Sequence, residues 1–168
     1  MVRLNRLLSL CLAGSAWMVL LAGAPTRAAD YNRTYQLVSI AYDVGAYTAE
    51  VDRLIHEAES RGVFGGRGST AARRAQDRDL TRQTLLGQRD VVLRETSDKV
   101  AAGATDAQID EVLSMAGPGA ASVDQARVMA TVAMIKARFN DAAWFQMTRT
   151  ARGNAEFLCL KGDKTFCP

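Results

Sequence analysis

The residues best able to do chemistry in this chain are few and poorly spaced for a reaction. His56-Glu57-Ala58-Glu59-Ser60 begins like the H-E-x-x-H zinc-protease motif, but Ser60 stands where the second histidine belongs. His56 is the only histidine in the 168 residues, so a two-histidine zinc site lacks a ligand. A Ser-His-Asp triad would also have to use it, and no G-x-S-x-G elbow accompanies it. Asp110-Glu111 pairs two carboxylates in sequence only, because neighbours on a helix point to different faces. Gly62, Gly65, Gly66 and Gly68 make a Gly-rich loop. A phosphate-cradling P-loop needs G-x-x-x-x-G-K-[ST] after a strand, and this loop has no lysine and follows a helical pattern. These residues assign no catalytic group, no metal ligand and no cofactor, and they point away from an enzyme. The surviving enzyme reading is a carboxylate-based hydrolase, which requires acids converging in a pocket with shifted pKa values.

Two other groups carry chemistry of a different kind. Cys159 and Cys167 stand in the last ten residues, with seven residues between them. A redox dithiol usually reads C-x-x-C, so this spacing predicts a structural disulfide. A hairpin with Gly162-Asp163-Lys164 at its tip would bring the two face to face and close a tail over residues 154–168. Arg61, Arg67, Arg73, Arg74, Arg78, Arg82, Arg89 and Arg94 face only Asp77, Asp79 and Asp90 in the same stretch, a local excess of +5. Arg73, Arg74, Arg78 and Arg82 form a candidate basic surface for an acidic partner or for lipid headgroups. No aromatics interleave with them as single-strand nucleic-acid binding requires, and a solvated helix face explains the pattern more simply.

The elements that position these residues are helical. Leu37, Ile40, Val44, Tyr47, Val51, Leu54 and Ala58 follow at alternating spacings of three and four, which puts all seven on one helical stripe from Tyr31 to about Ser60. Such a stripe serves an intramolecular core or a coiled-coil seam for a partner, and the helices that follow favour the core. Residues 61–70 break the helix as a connector, with Ser69 or Thr70 capping what comes next. A second helix is predicted from 71 to about 102, with a polar opening over Ala71–Thr84 that projects into solvent. Thr105-Asp106-Ala107-Gln108 is a capping box that opens a short helix, and Gly117-Pro118-Gly119 ends it. Ser122-Val123-Asp124-Gln125 repeats the device before a long helix through Val128, Val132, Ile135, Phe139 and Ala142. Asn140-Asp141 is the place for a bend or restart, and Gly153-Asn154 is the expected stop. Trp144 and Phe145 are assigned to the core rather than to a ligand groove.

The N-terminus decides the compartment. Arg3 and Arg6 precede an uncharged run from Leu7 to Ala24, and small residues surround Thr26-Arg27-Ala28-Ala29. This is the pattern of a secretory signal peptide over residues 1–28, cut after Ala28, with an uncleaved inner-membrane anchor as the alternative. The whole chain carries a net charge of +3. Arg3, Arg6 and Arg27 account for three of its 21 basic residues, so the cut leaves 18 bases against 18 acids. That balance removes the net-charge argument for nucleic acid. The compartment implied is the periplasm of a Gram-negative-type bacterium.

The stretch from Thr105 to Phe139 resembles the small exported bacterial proteins catalogued as domain of unknown function 2059. The capped helix Thr105–Leu113 and the turn at Gly117-Pro118-Gly119 carry the likeness. Met115-Ala116 replaces that family's usual aromatic pair, Gly117 replaces its Ser, and Ala120 its later Gly. The resemblance implies an all-α periplasmic protein and supplies no catalytic residue. The sequence therefore predicts an all-α bundle of four to five helices, a single domain over 29–168 with a disulfide-stapled tail. Its expected role is non-enzymatic: protein binding or envelope maintenance, with another envelope protein or a second copy as partner. A toxin-immunity or inhibitor protein is the remaining class.

Overall fold

A computed structural model describes residues 28–65, 68–115, 124–164 and 167. Among them the chain forms six helices and no strand: α1 (Tyr31–Ala41), α2 (Val44–Ser60), α3 (Ala71–Gly87), α4 (Arg89–Gly103), α5 (Asp106–Ser114) and α6 (Gln125–Leu160). The all-α class expected from the helical periodicities is the class observed. None of these helices is long and apolar enough to cross a membrane. Residues 1–27 of the signal segment, the turn at Gly117-Pro118-Gly119 and the Ser122 cap lie outside the described residues.

The helix count exceeds four to five because both long patterns are interrupted. Tyr42 leaves helical geometry at φ −113° and ψ 61°. Its ring stacks on Phe139 at 3.7 Å between centroids. The break turns two members of the expected stripe outward: Ile40 is 39% and Val44 72% exposed, while Val38, Ala41 and Tyr42 are buried in their place. The second interruption follows Gly87, a weak helix former, at Gln88 (φ −94°, ψ 15°). Gln88 donates its N–H to the carbonyls of Thr84 and Leu85, and its own carbonyl accepts from Val91 and Val92 to begin α4.

The chain divides into two compact units interleaved in sequence. One comprises the chain up to Asp43 together with Leu93–Phe139, and the other comprises Val44–Val92 with Asn140–Pro168. The first buries Leu37, Val38, Val100, Ile109, Ile135 and Phe139. Its short helix α5 starts with the predicted capping box: the Thr105 hydroxyl accepts from the Gln108 N–H at 3.3 Å, and Gln108 Oε1 accepts from the Thr105 N–H at 2.9 Å. Asp110 and Glu111 turn to different partners, Arg33 at 3.0 Å and Arg127 at 2.9 Å. They form no catalytic pair. Asp124 caps α6, accepting from the Ala126 and Arg127 amides.

The second unit buries Tyr47, Val51, Leu54, Leu85, Ala143 and Met147. The Tyr47 hydroxyl donates to the Leu85 carbonyl at 2.8 Å, joining α2 to α3. Burial pushes the Tyr47 hydroxyl's pKa upward, a change that nearby Arg89 opposes. Here α6 runs unbroken past Asn140-Asp141 and past Gly153-Asn154 to Leu160. The expected stop fails because Ala151 is buried and the Asn154 side chain donates to Thr81 Oγ1 at 3.1 Å. Tertiary attachment outweighs the cost of about 1 kcal/mol that Gly153 imposes on a helix. Cys159 accordingly sits in the last turn of α6, not on a hairpin strand, and its sulfur bonds Cys167 across a Cα separation of 5.0 Å. The disulfide-closed segment is shorter than 154–168.

In the connector Thr70, not Ser69, caps α3, accepting from the Arg73 N–H at 3.3 Å. Gly65 has a positive φ of 78°, and a Cβ there would collide with the Ser69 and Arg74 side chains. Gly65→Ala is expected to lower stability by about 1–3 kcal/mol in urea unfolding, from left-handed strain and crowding. An unchanged midpoint would show that the loop gives way at no cost.

Candidate functional site

The site is built from α2, α3 and the part of α6 beyond Asn140. Arg53, Leu54 and Glu57 on α2 face Asn140, Asp141, Trp144, Phe145 and Thr148 on α6 across a groove of about 460 Å³. Spacings of three and four on each helix bring these residues to one side. Arg53 ties the two walls together, donating to Glu50 at 2.6 Å, Glu57 at 3.1 Å and Asn140 Oδ1 at 2.8 Å. Glu57 is also bonded by Arg61, whose guanidinium lies 4.7 Å above the Trp144 ring.

Phe145 was expected in the core and is 53% exposed instead. The reason is angular. Ala142, Ala143, Gln146 and Met147 take the buried face of this stretch of α6, and Phe145 falls on the flank beside them. The result is an aromatic floor with an ion-paired wall. It offers an apolar side chain a place to dock, and it presents no nucleophile activated by a base.

A second feature lies in the connector. The buried face of α3 is Asp77, Thr81 and Leu85, four residues apart. The polar opening of this helix therefore does not project wholly into solvent, as its composition suggested. Asp77 is 1% exposed. The Gly65 N–H donates to its Oδ2 at 3.0 Å, and the Thr81 side chain adds a lesser bond to the same carboxyl. Its Oδ1 is buried without a hydrogen-bond partner. Burial pushes the Asp77 pKa upward, only partly countered by the bonds from Gly65 and Thr81. The carboxyl borders a niche of about 260 Å³ with Thr148 and Arg152. A hydrolytic pair would need a second acid there, and the lining supplies Thr148 and Arg152 in that place. Sequence reasoning missed Asp77. The legible signal was the i, i+4 row leading back from Leu85 through Thr81.

The four candidate arginines do not form one open basic patch. Arg73 pairs with Asp163, and Arg74 donates to the Ser69 carbonyl at 2.6 Å. Arg78 bonds Asp79 at 3.0 Å and Glu59 at 3.1 Å. Arg82 grips both oxygens of Asp52, at 2.6 and 3.2 Å. Hydrogen bonds to Asp79 and Glu59 raise the pKa of Arg78, as those to Asp52 raise that of Arg82. Four acids from outside the segment thus pair with its arginines: Asp52, Glu57 and Glu59 from α2 and Asp163 from the tail. His56 is exposed on α2, and no cluster of three or more metal-capable side chains occurs among the described residues. Compared with protein-family models, with curated proteins and with solved structures, the chain gives no match.

Proposed function

We propose that this is an exported, periplasmic, non-enzymatic factor that binds another envelope protein through the α2–α6 groove. The observation that carries the reading is Phe145. A large apolar side chain is half exposed beside Trp144, in a groove whose charged wall is already paired within the chain. Such a surface suits an apolar or aromatic anchor from a partner, with the Arg53–Glu57 pair at the rim excluding water around it.

Export is supported by the charge and hydropathy pattern of residues 1–28. The Cys159–Cys167 bond suits an oxidising compartment. The likeness of Thr105–Phe139 to domain of unknown function 2059 accords with the same place and helical class. Against a coiled-coil seam, five of the seven stripe residues, Leu37, Tyr47, Val51, Leu54 and Ala58, are at most 2% exposed, and the two exposed ones, Ile40 and Val44, lie together beside the break at Tyr42. The partner surface belongs elsewhere, and the groove is the better place for it.

A photo-crosslinking residue at Thr148, inside the groove, tests this in cells expressing the full chain. One discrete heteromeric adduct is expected, reduced about tenfold or more by Phe145→Glu, given what aromatic anchors contribute. Circular dichroism should show the variant folded. An adduct that survives the substitution, or one made of two copies of this chain, rejects the proposal.

A further inference from the structure

We infer that the Ala28–Ala29 bond is the processing site and that the cut creates a docked α-ammonium at Ala29, held by the carbonyl end of α4. This rests on the export reading proposed above. The observation is the position of one nitrogen. The Ala29 N–H donates to two carbonyls at once, Ala101 O at 3.0 Å and Ala104 O at 3.1 Å. A backbone amide has one hydrogen to divide between them. An ammonium has three, and can give each acceptor its own.

The surroundings favour a positive charge. Ala101 lies in the last turn of α4, where unpaired carbonyls carry the negative end of the helix dipole. One residue on, the Asp30 N–H donates to Asp106 Oδ1 at 2.7 Å, so a carboxylate stands close by. Asp30 caps α1 by accepting from the Arg33 N–H at 3.0 Å, and Arg33 bonds Asp110 on α5 at 3.0 Å. Ala29, Asp30 and Arg33 thus each have a specific partner, and all these partners lie within one compact unit.

Burial marks the same boundary. Ala29 is 7% exposed while Ala28 is exposed, so burial changes across the expected cut. Hydrolysis uses one water. The C–N bond breaks, the water oxygen stays on Ala28 as its carboxylate, and the protons leave Ala29 as an ammonium. A charge that would otherwise face solvent then sits against two carbonyls that a single amide hydrogen serves incompletely.

Two measurements test it. Intact mass of the protein recovered from the periplasm of cells expressing the full chain should correspond to a start at Ala29. The 29–168 chain is then compared by urea unfolding with its Nα-acetylated form, which keeps an N–H and loses the charge. A third form begins at Ala28, which keeps the charge and moves it one residue out. Both altered forms should show an unfolding constant about three- to tenfold larger than that of the free Ala29 chain. A start at Ala29 with three equal stabilities overturns the docked ammonium and leaves export standing. A start at any other residue, or retention of residues 1–28, removes the processing site alone, and failure to find the chain in the periplasm or its membrane removes the export reading with it.

Discussion

Replacing Phe139 with alanine is expected to lower the unfolding free energy by about 3–5 kcal/mol. Phe139 is fully buried and its ring lies nearly parallel to that of Tyr42, 3.7 Å between centroids with 9° between planes. Truncation removes the transfer free energy of the ring and leaves a void against Tyr42, whose ring loses its partner face. Tyr42 is also the residue at which α1 ends, so the pair determines where the chain turns as well as how it packs. Phe139→Leu, which retains most of the volume, should cost much less. Urea unfolding of the two variants decides the matter: a loss under about 1 kcal/mol for the alanine variant would mean that the stacked pair is not part of the cooperative core.

The Asp77 carboxyl should make stability depend on pH, in a direction that its burial determines. Its pKa is raised in the folded chain, so the folded state holds the proton more tightly than the unfolded state. The stabilising effect of that proton is present at low pH. It is lost as pH climbs from the ordinary carboxylate range through the folded value. Asp77→Asn keeps an acceptor for the Gly65 N–H and cannot ionise. Relative to the parent it should therefore gain stability between about pH 4 and pH 7. Asp77→Ala is the contrasting case. It leaves the Gly65 N–H without its acceptor and should cost roughly 1–3 kcal/mol for that donor alone. Unfolding curves for the three proteins at both pH values test the assignment; a difference between parent and Asn variant that does not change with pH refutes it.

How much of this was legible in advance varies by element. The capping box at Thr105 and Gln108 was readable because both partners lie within one turn and are named by side-chain type alone. The stripe from Leu37 to Ala58 was legible in part: Leu37, Tyr47, Val51, Leu54 and Ala58 are buried, but Ile40 and Val44, beside the break at Tyr42, face outward. Gly153-Asn154 was misread because Asn154 finds its partner at Thr81, 73 residues away in sequence. The arginines of α3 looked like a basic arm because Asp52, Glu59 and Asp163, which pair with them, come from other elements.

The candidate site shows the same division. Trp144 and Phe145 were visible as a pair of aromatics, but nothing local separates a core face from a groove flank. That depends on which neighbouring side chains reach the interior first, and here two alanines and Met147 do. Asp77 is the clearest case. A charged residue in a polar run reads as solvated, and the return of the connector at Gly65, with the bond from Thr81, offsets part of the cost of its burial.

By itself, then, the sequence determined the helical class, the cap at Thr105, the cysteine pairing and the charge balance after Ala28. Each of these depends on neighbours in the chain or on simple counting. Only the tertiary structure decided that α6 continues to Leu160, that Phe145 faces a groove, that Asp77 is buried and that the Ala29 nitrogen meets the end of α4. Each of those depends on groups that folding brings together from far apart in the chain.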